Sequence, residues 1–186
     1  TAVGYAALKL NTSGDYNTSG SGTATIFEEG LRIVTSSTQL RSYRYTGTIN
    51  STQFYRFKMR VEDGNNVTND FISWKIENSD ASFSYTLKLR FATSGFRVRD
   101  HSSELASVSI DLTDTHEFMV FQDGTDVLVY HREWDEKQAK KWTETSVTLA
   151  TQAAGLTGTF EWGHLTISGI IGFESYWSEM HVSDGS

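Results

Sequence analysis

Three glutamates near the end of the chain, Glu161, Glu174 and Glu179, stand beside Trp162, Tyr176 and Trp177. Carboxylate pairs cleave glycosidic bonds, one donating a proton while the other attacks or activates water. They must lie about 5–5.5 Å apart for a retaining reaction and about 6.5–9.5 Å for an inverting one. Glu161 falls in one strand-like segment and the other two in the next, so the segments could bring them face to face. Strand parity puts Glu179 on the side of Trp177 and Glu161 opposite Trp162. Glu161 and Glu179 are thus the catalytic candidates, with solvated strand carboxylates as the alternative.

Exposed aromatic rings serve another chemistry, because sugars stack their apolar C–H faces on them. Trp134 and Trp142 flank the charged stretch 133–141, so at least one is expected to meet solvent. Tyr176 and Trp177 are neighbours on a strand, so one of them points outward. The alternative is burial of all five tryptophans, because large rings are mostly buried.

Basic residues make a further pattern. Arg56, Lys58, Arg60, Lys88, Arg90, Arg97 and Arg99 alternate with apolar residues and belong on the wet faces of nearby strands. Like charges directly opposite one another destabilise a sheet. An acidic ligand such as a sulfated or uronic-acid glycan would compensate them. So would the acidic face of a neighbouring copy, or an intervening acidic strand. Arg97 and Arg99 join the aromatic residues as ligand-binding candidates.

Asp111 and Asp114, with Asp123 and Asp126, form two Asp-x-x-Asp clusters whose hard oxygens suit calcium. Such clusters are also ordinary turn chemistry. His101, His116, His131, His164 and His181 are scattered without metal-ligand spacing and read as structural. Asn11, Asn17, Asn50 and Asn66 each head an Asn-x-Ser/Thr glycosylation acceptor, all in predicted loops.

The elements that position these residues are strands. Tyr55, Phe57, Met59 and Val61 alternate with Arg56, Lys58 and Arg60. Ile72, Trp74 and Ile76 repeat the rule, as do Phe83 to Phe91 and then Phe96 and Val98. Period-two alternation gives each strand one apolar face, the pattern of antiparallel sheets packed face to face. Further segments recur about every ten residues, with turn residues between them. Residues 11–23 read as a loop. Glu133–Trp142 is the single helical candidate, with Glu133/Lys137 and Glu136/Lys140 in the supporting i, i+4 order. Its thin apolar stripe suits a short surface helix or a structured loop.

Composition narrows the classes. A length of 186 residues suits one domain over 1–186. With no cysteine there is no disulfide, thiolate nucleophile or zinc–thiolate site. A net charge of −7 opposes nucleic acid and anionic membranes. No segment approaches the roughly 20 apolar residues of a membrane span. The chain opens on Thr without a signal peptide, which reads as a processed form or an excised domain. Charge is uneven: residues 1–100 carry twelve Lys/Arg against nine Asp/Glu, and residues 101–186 carry four against fourteen. Either copies stack head to tail, or basic strands pair with acidic ones inside one molecule.

Three stretches carry a likeness to a known family. Tyr55-Arg-Phe-Lys-Met-Arg-Val resembles an alternating aromatic strand of the concanavalin A-like lectin/glucanase jelly rolls, which include laminin-G-like modules. His116-Glu-Phe-Met-Val-Phe-Gln-Asp-Gly-Thr-Asp-Val-Leu-Val-Tyr resembles their hairpin with an Asp-Gly turn. Ser175-Tyr-Trp-Ser-Glu-Met-His-Val resembles the closing strand that returns beside the first. The resemblance implies two curved antiparallel sheets, an extracellular setting, and binding or cleavage of polysaccharide. The glucanases' three acids on one strand have no counterpart, since Arg132-Glu-Trp-Asp-Glu has the wrong spacing.

The expectation is therefore an all-β, two-sheet antiparallel sandwich of jelly-roll type, with at most one short helix near 133–142. Its expected role is non-catalytic, lectin-like carbohydrate binding outside a cell or on a virion. The expected partner is a polysaccharide or glycan, with calcium a possible cofactor. A self-assembling subunit of a filament, surface layer or viral tail, joined through basic and acidic faces, is one alternative. A glycoside hydrolase or polysaccharide lyase is the other.

Overall fold

A computed structural model of the chain describes residues 5–7, 17–27, 30–36, 38–49, 52–63, 72–78, 87–150, 156–165 and 172–183. They form fifteen strands: β1 (Tyr5–Ala7), β2 (Asn17–Ser19), β3 (Thr23–Phe27), β4 (Gly30–Thr35), β5 (Arg41–Ile49), β6 (Thr52–Asp63), β7 (Ile72–Asn78) and β8 (Leu87–Ala92). The rest are β9 (Gly95–Arg99), β10 (Glu104–Ser109), β11 (His116–Asp123), β12 (Asp126–Glu133), β13 (Thr143–Thr148), β14 (Leu156–His164) and β15 (Phe173–Ser183). No helix occurs among the described residues.

The strands make two antiparallel sheets. An eight-stranded sheet runs β13-β12-β11-β6-β15-β4-β3, with β1 beside the end of β15. A seven-stranded sheet runs β10-β9-β8-β7-β14-β5-β2. The closing strand does return beside the first, with Val182 opposite Ala6. The β11–β12 hairpin turns through Gly124-Thr125, with Asp123 opposite Asp126.

Alternation explains the layering. Tyr55, Phe57, Met59 and Val61 of β6 face inward and are buried, as are Ile72, Trp74 and Ile76 of β7. Rings meet across the sandwich: Phe57 stacks on Trp74 at 6.0 Å, and Phe91 meets Trp177 edge-on at 5.8 Å. Burying each such side chain contributes roughly 1.5–3 kcal/mol. One polar staple crosses this core. His164 of β14 bonds Thr35 of β4 at 2.8 Å and Ser175 of β15 at 2.7 Å, and Ser175 also accepts from the Trp177 indole. At Gly163, φ is +115°, and an added Cβ would come within 2.7 Å of the Arg41 carbonyl, so only glycine fits.

One open alternative is decided and two local expectations change. The 133–142 stretch is a structured loop rather than a short surface helix. Trp134 packs under Lys58 and Trp142 under Arg132, drawing both ends of the stretch onto the sheet. Those contacts outrank i, i+4 pairs worth about 0.2–0.5 kcal/mol. Residues 17–19, read as loop, form β2 against β5. Residues 143–148 form β13, a strand the sequence reading missed.

Candidate functional site

Both outer faces carry cations. On the eight-stranded sheet, β6 presents Arg56, Lys58 and Arg60. Each is answered. Glu117, 0% exposed, takes Arg56 from one side and Arg132 from the other, with Arg132 Nε at 2.7 Å. Lys58 Nζ donates to Glu179 at 2.5 Å and lies 3.1 Å from the centre of the Trp134 ring. Arg60 pairs with Glu62 and stacks on Tyr176 at 4.1 Å. Arg32 pairs with Glu174 at 2.6 Å. These acids come from both neighbouring strands and β6 itself, so this part of the basic stripe is neutralised inside the molecule.

The seven-stranded sheet carries cations too. Trp74 and Ile76 point inward, so Ser73 and Lys75 point outward. Two rows of outward residues then cross the strands by register. One runs Glu104, Arg99, Lys88, Lys75, Glu161, Arg44. The other runs Ser107, Arg97, Arg90, Ser73, Gly163, Ser42. Among the described side chains of these rows, six cations face two carboxylates. In the middle, Ser42, Ser73, Lys88 and Glu161 are buried although they face away from the core. Arg99 to Arg44 spans four strand intervals, roughly 19 Å.

Glu161 joins the two arms of the first row. Its Oε2 lies 3.1 Å from Lys75 Nζ and 3.2 Å from Arg44, and Ser42 donates to Oε1 at 2.6 Å. Burial alone would raise its pKa. The Ser42 hydroxyl, Lys75 and Arg44 outweigh that and hold it below the usual carboxylate value. It is therefore an ionised clamp near neutral pH, not a proton donor. What the face offers is an array of cationic and hydroxyl donors, suited to hydroxyl, carboxylate or sulfate groups.

The other expected residues lie elsewhere. Glu174 and Glu179 belong to β15 in the eight-stranded sheet, and Glu161 to β14 in the other, so the glutamates sit on opposite outer faces and form no cleaving pair. Glu179 adopts φ +50° at an irregularity in the β15–β6 ladder, where it meets Lys58. Trp177 is 1% exposed in the core and has no ring face for a sugar. Tyr176, Trp134 and Trp142 are half-buried on the eight-stranded side, each already covered by a cation. Residues 132–140 line a hollow of about 220 Å³ there. Arg97 and Arg99 stand on the seven-stranded face and share Glu104, at 2.6 and 3.9 Å.

Asp123 and Asp126 lie opposite each other across the hairpin, and three of the four aspartates are held by threonines. Asp111 accepts from Thr113 within its own turn, Asp123 from Thr52, and Asp126 from Thr148. Among the described residues no cluster of three metal-ligating side chains occurs. Asn17 opens β2 rather than a loop, and Asn11, Asn50 and Asn66 lie outside the described residues. The sequence reading missed Ser42, Arg44, Ser73 and Lys75. Ser73 and Lys75 flank Trp74, so parity marked their side, but only the register assembles them with Arg44 and Glu161.

No protein-family model and no curated protein sequence matches the chain. Solved structures do. An alginate lyase of polysaccharide lyase family 7, AlgAT5, is similar with a TM-score of 0.63 at 13% identity, over 86% of this chain and 81% of that one. Lectin I-B4 from Griffonia simplicifolia, in metal-free form, gives 0.61 at 10% identity over 93% and 94%. The exoplasmic/lumenal domain of VIP36, bound to Ca²⁺ and Man3GlcNAc, gives 0.60 at 12% over 90% and 83%. The fold is that of the concanavalin A-like jelly rolls.

Proposed function

We propose that the chain is a polysaccharide-binding module without turnover, taking its ligand on the outer face of the seven-stranded sheet. One observation carries this: two registered rows of cations and hydroxyls cross the strands of that face side by side. The neighbours' names support a carbohydrate ligand, since they include a glycan-bound lectin domain and alginate lyases. A setting outside the cell or at a cell or virion surface is in keeping with the exoplasmic neighbour. This reading is built without calcium: Asp111, Asp123 and Asp126 each accept a hydrogen bond from a threonine.

The test is affinity electrophoresis through gels holding neutral or acidic polysaccharides. Wild type is retarded by at least one of them, and the Arg44→Ala/Lys75→Ala double variant runs free. Retardation that survives the double variant contradicts the assigned face.

A polysaccharide lyase is the second reading, favoured by the alginate lyase likeness and by cations flanking a central carboxylate. It requires release of unsaturated sugar ends from a uronate polymer. Assembly into filaments has less support, because part of the charge asymmetry that suggested it is met by ion pairs within one molecule. Arg56, Lys58, Arg44 and Lys75 from the first half meet Glu117, Glu179 and Glu161 from the second.

A further inference from the structure

His131 of β12 points into the sandwich beside the edge strand β13. It is 5% exposed, and its ring meets Phe96 of β9 edge-on at 5.2 Å and Phe118 of β11 at 6.2 Å. Its Nε2 is buried without a hydrogen-bond partner. The titratable group facing it from β11 is His116, also buried, with the ring centres 6.5 Å apart. β9 faces it with Phe96 and β13 with Thr143. Glu133, two positions along β12 on the same side, is exposed and lies opposite His116. Glu144 of β13 is on the other side, opposite Tyr130. A neutral imidazole packs here as an aromatic ring. A protonated one carries N–H on both nitrogens. Its Nε2–H would have no acceptor, and its charge would lie buried against two phenyl rings and a second imidazole. Burial first, and His116 second, hold the His131 pKa below 6.5.

The neighbour with least to hold it is β13, where Val147 is the one buried residue. Its far end is tied: Leu149 donates its N–H to the Thr125 carbonyl at 2.8 Å, and Ala150 donates to Asp100 at 3.0 Å. The Asp100 tie withstands acid. Burial would raise that carboxyl, but bonds from Ser102, Ala150 and Ser103 outweigh it and hold the pKa down to about 2. The loop before β13 is tied at Trp134, whose backbone N–H reaches the Thr115 carbonyl at 2.7 Å. Between these ties, β13 begins at Thr143, directly opposite His131.

We propose that His131 is an acid-sensitive latch: neutral, it holds the Thr143 end of β13 and the 135–142 loop on the sandwich, and protonated, it releases them as one flap between the ties at Trp134 and Leu149. The latch is independent of the polysaccharide face. It is whole above about pH 6.5, the ordinary histidine value, and is lost as pH falls through the folded one. Local opening of this kind draws on segments with few buried apolar contacts. The His164 staple is far off, since its Thr35 lies on β4, four strand intervals or roughly 19 Å from β12.

Hydrogen exchange read by mass spectrometry tests this on the whole chain at about pH 7 and about pH 4.5, with rates corrected for the intrinsic effect of pH. Protection of peptides within 135–147 falls about tenfold or more in acid relative to peptides of β14 and β15, the factor carried by one unit of pKa difference. His131→Phe keeps a ring between Phe96 and Phe118 but takes no proton, so this differential loss disappears. His131→Gln does the same and serves if the phenyl variant does not fold. An NMR titration of the assigned His131 ring in wild type needs no variant: it titrates below 6.5, in step with the loss of protection in 135–147. Equal relative protection of 135–147 at both pH values overturns the latch. So does the same loss in a folded variant, or a His131 ring that titrates at or above 6.5.

Discussion

Lys75 on β7 holds Glu161 on β14 at 3.1 Å, and that carboxylate reaches on to Arg44 on β5. A glutamate clamped by two cations and a serine hydroxyl is a structural and electrostatic element of the face, whatever chemistry its sequence neighbours suggest. Its position decides how the cations are shared. It ties Lys75 of β7 and Arg44 of β5 to one carboxylate.

Glu161→Gln removes both ion pairs. Unfolding free energy at neutral pH should fall by about 1–3 kcal/mol, the scale of a charged hydrogen-bonded group. Affinity for an acidic polysaccharide should rise, because Lys75 and Arg44 are released. The sign with pH follows from the lowered pKa of Glu161. Its contribution is present above the ordinary glutamate value and disappears as pH falls through the folded one, so the wild-type advantage over the variant should shrink in acid. Urea titrations of both proteins check this.

His164 predicts a second acid sensitivity. Burial lowers its pKa from 6.5 to about 3. An unfolded histidine near its ordinary value binds the proton that the folded one refuses. Its stabilising contribution is therefore whole above about pH 6.5 and is lost as pH falls toward 3, by up to about 1.4 kcal/mol per unit. His164→Gln should be less stable at pH 7 and show a shallower loss between pH 6 and 4. Parallel slopes would contradict the neutral His164 staple.

Trp177 in the core and Trp134 at the surface separate packing from surface roles. Trp177→Ala should cost about 3–5 kcal/mol, as large core truncations do. Trp134→Ala strips a ring from the Lys58 ammonium and should cost about 0.5–2 kcal/mol. Neither should change polysaccharide affinity in the fraction that folds, as measured by calorimetry.

Glu117→Ala leaves Arg56 and Arg132 facing each other over a buried gap. Removing one member of a buried charge network costs about 3–5 kcal/mol. Glu117→Ala should therefore unfold at much lower denaturant than Glu62→Ala, whose pair with Arg60 is exposed and worth about 0–1 kcal/mol.

The fold was legible where one face of a strand is buried. In β6, β7, β8, β9, β11 and β12 apolar residues recur at every second position on the buried face, and that alternation gave them away. β13 was not legible, because Val147 is its one buried residue and it lies at a sheet edge. Of the candidate site, Arg97 and Arg99 were visible as wet-face cations. Parity correctly put Glu161 opposite Trp162, but parity does not say which sheet a strand joins. Strand order separated Glu161 from Glu179 and brought it to Lys75 and Arg44, and strand order is set by long-range packing. The 133–142 stretch stayed open between helix and structured loop for a related reason: its pairs favour a helix locally, while Lys58 and Arg132, outside it, claim its tryptophans.

The most direct measurement is amide chemical-shift mapping of ¹⁵N-labelled protein titrated with whichever polysaccharide fragment binds. The account predicts shifts clustered on β7, β8, β9 and β14, around Ser73, Lys75, Arg97 and Glu161. Shifts confined to β6, β15 and the 134–142 loop would contradict it.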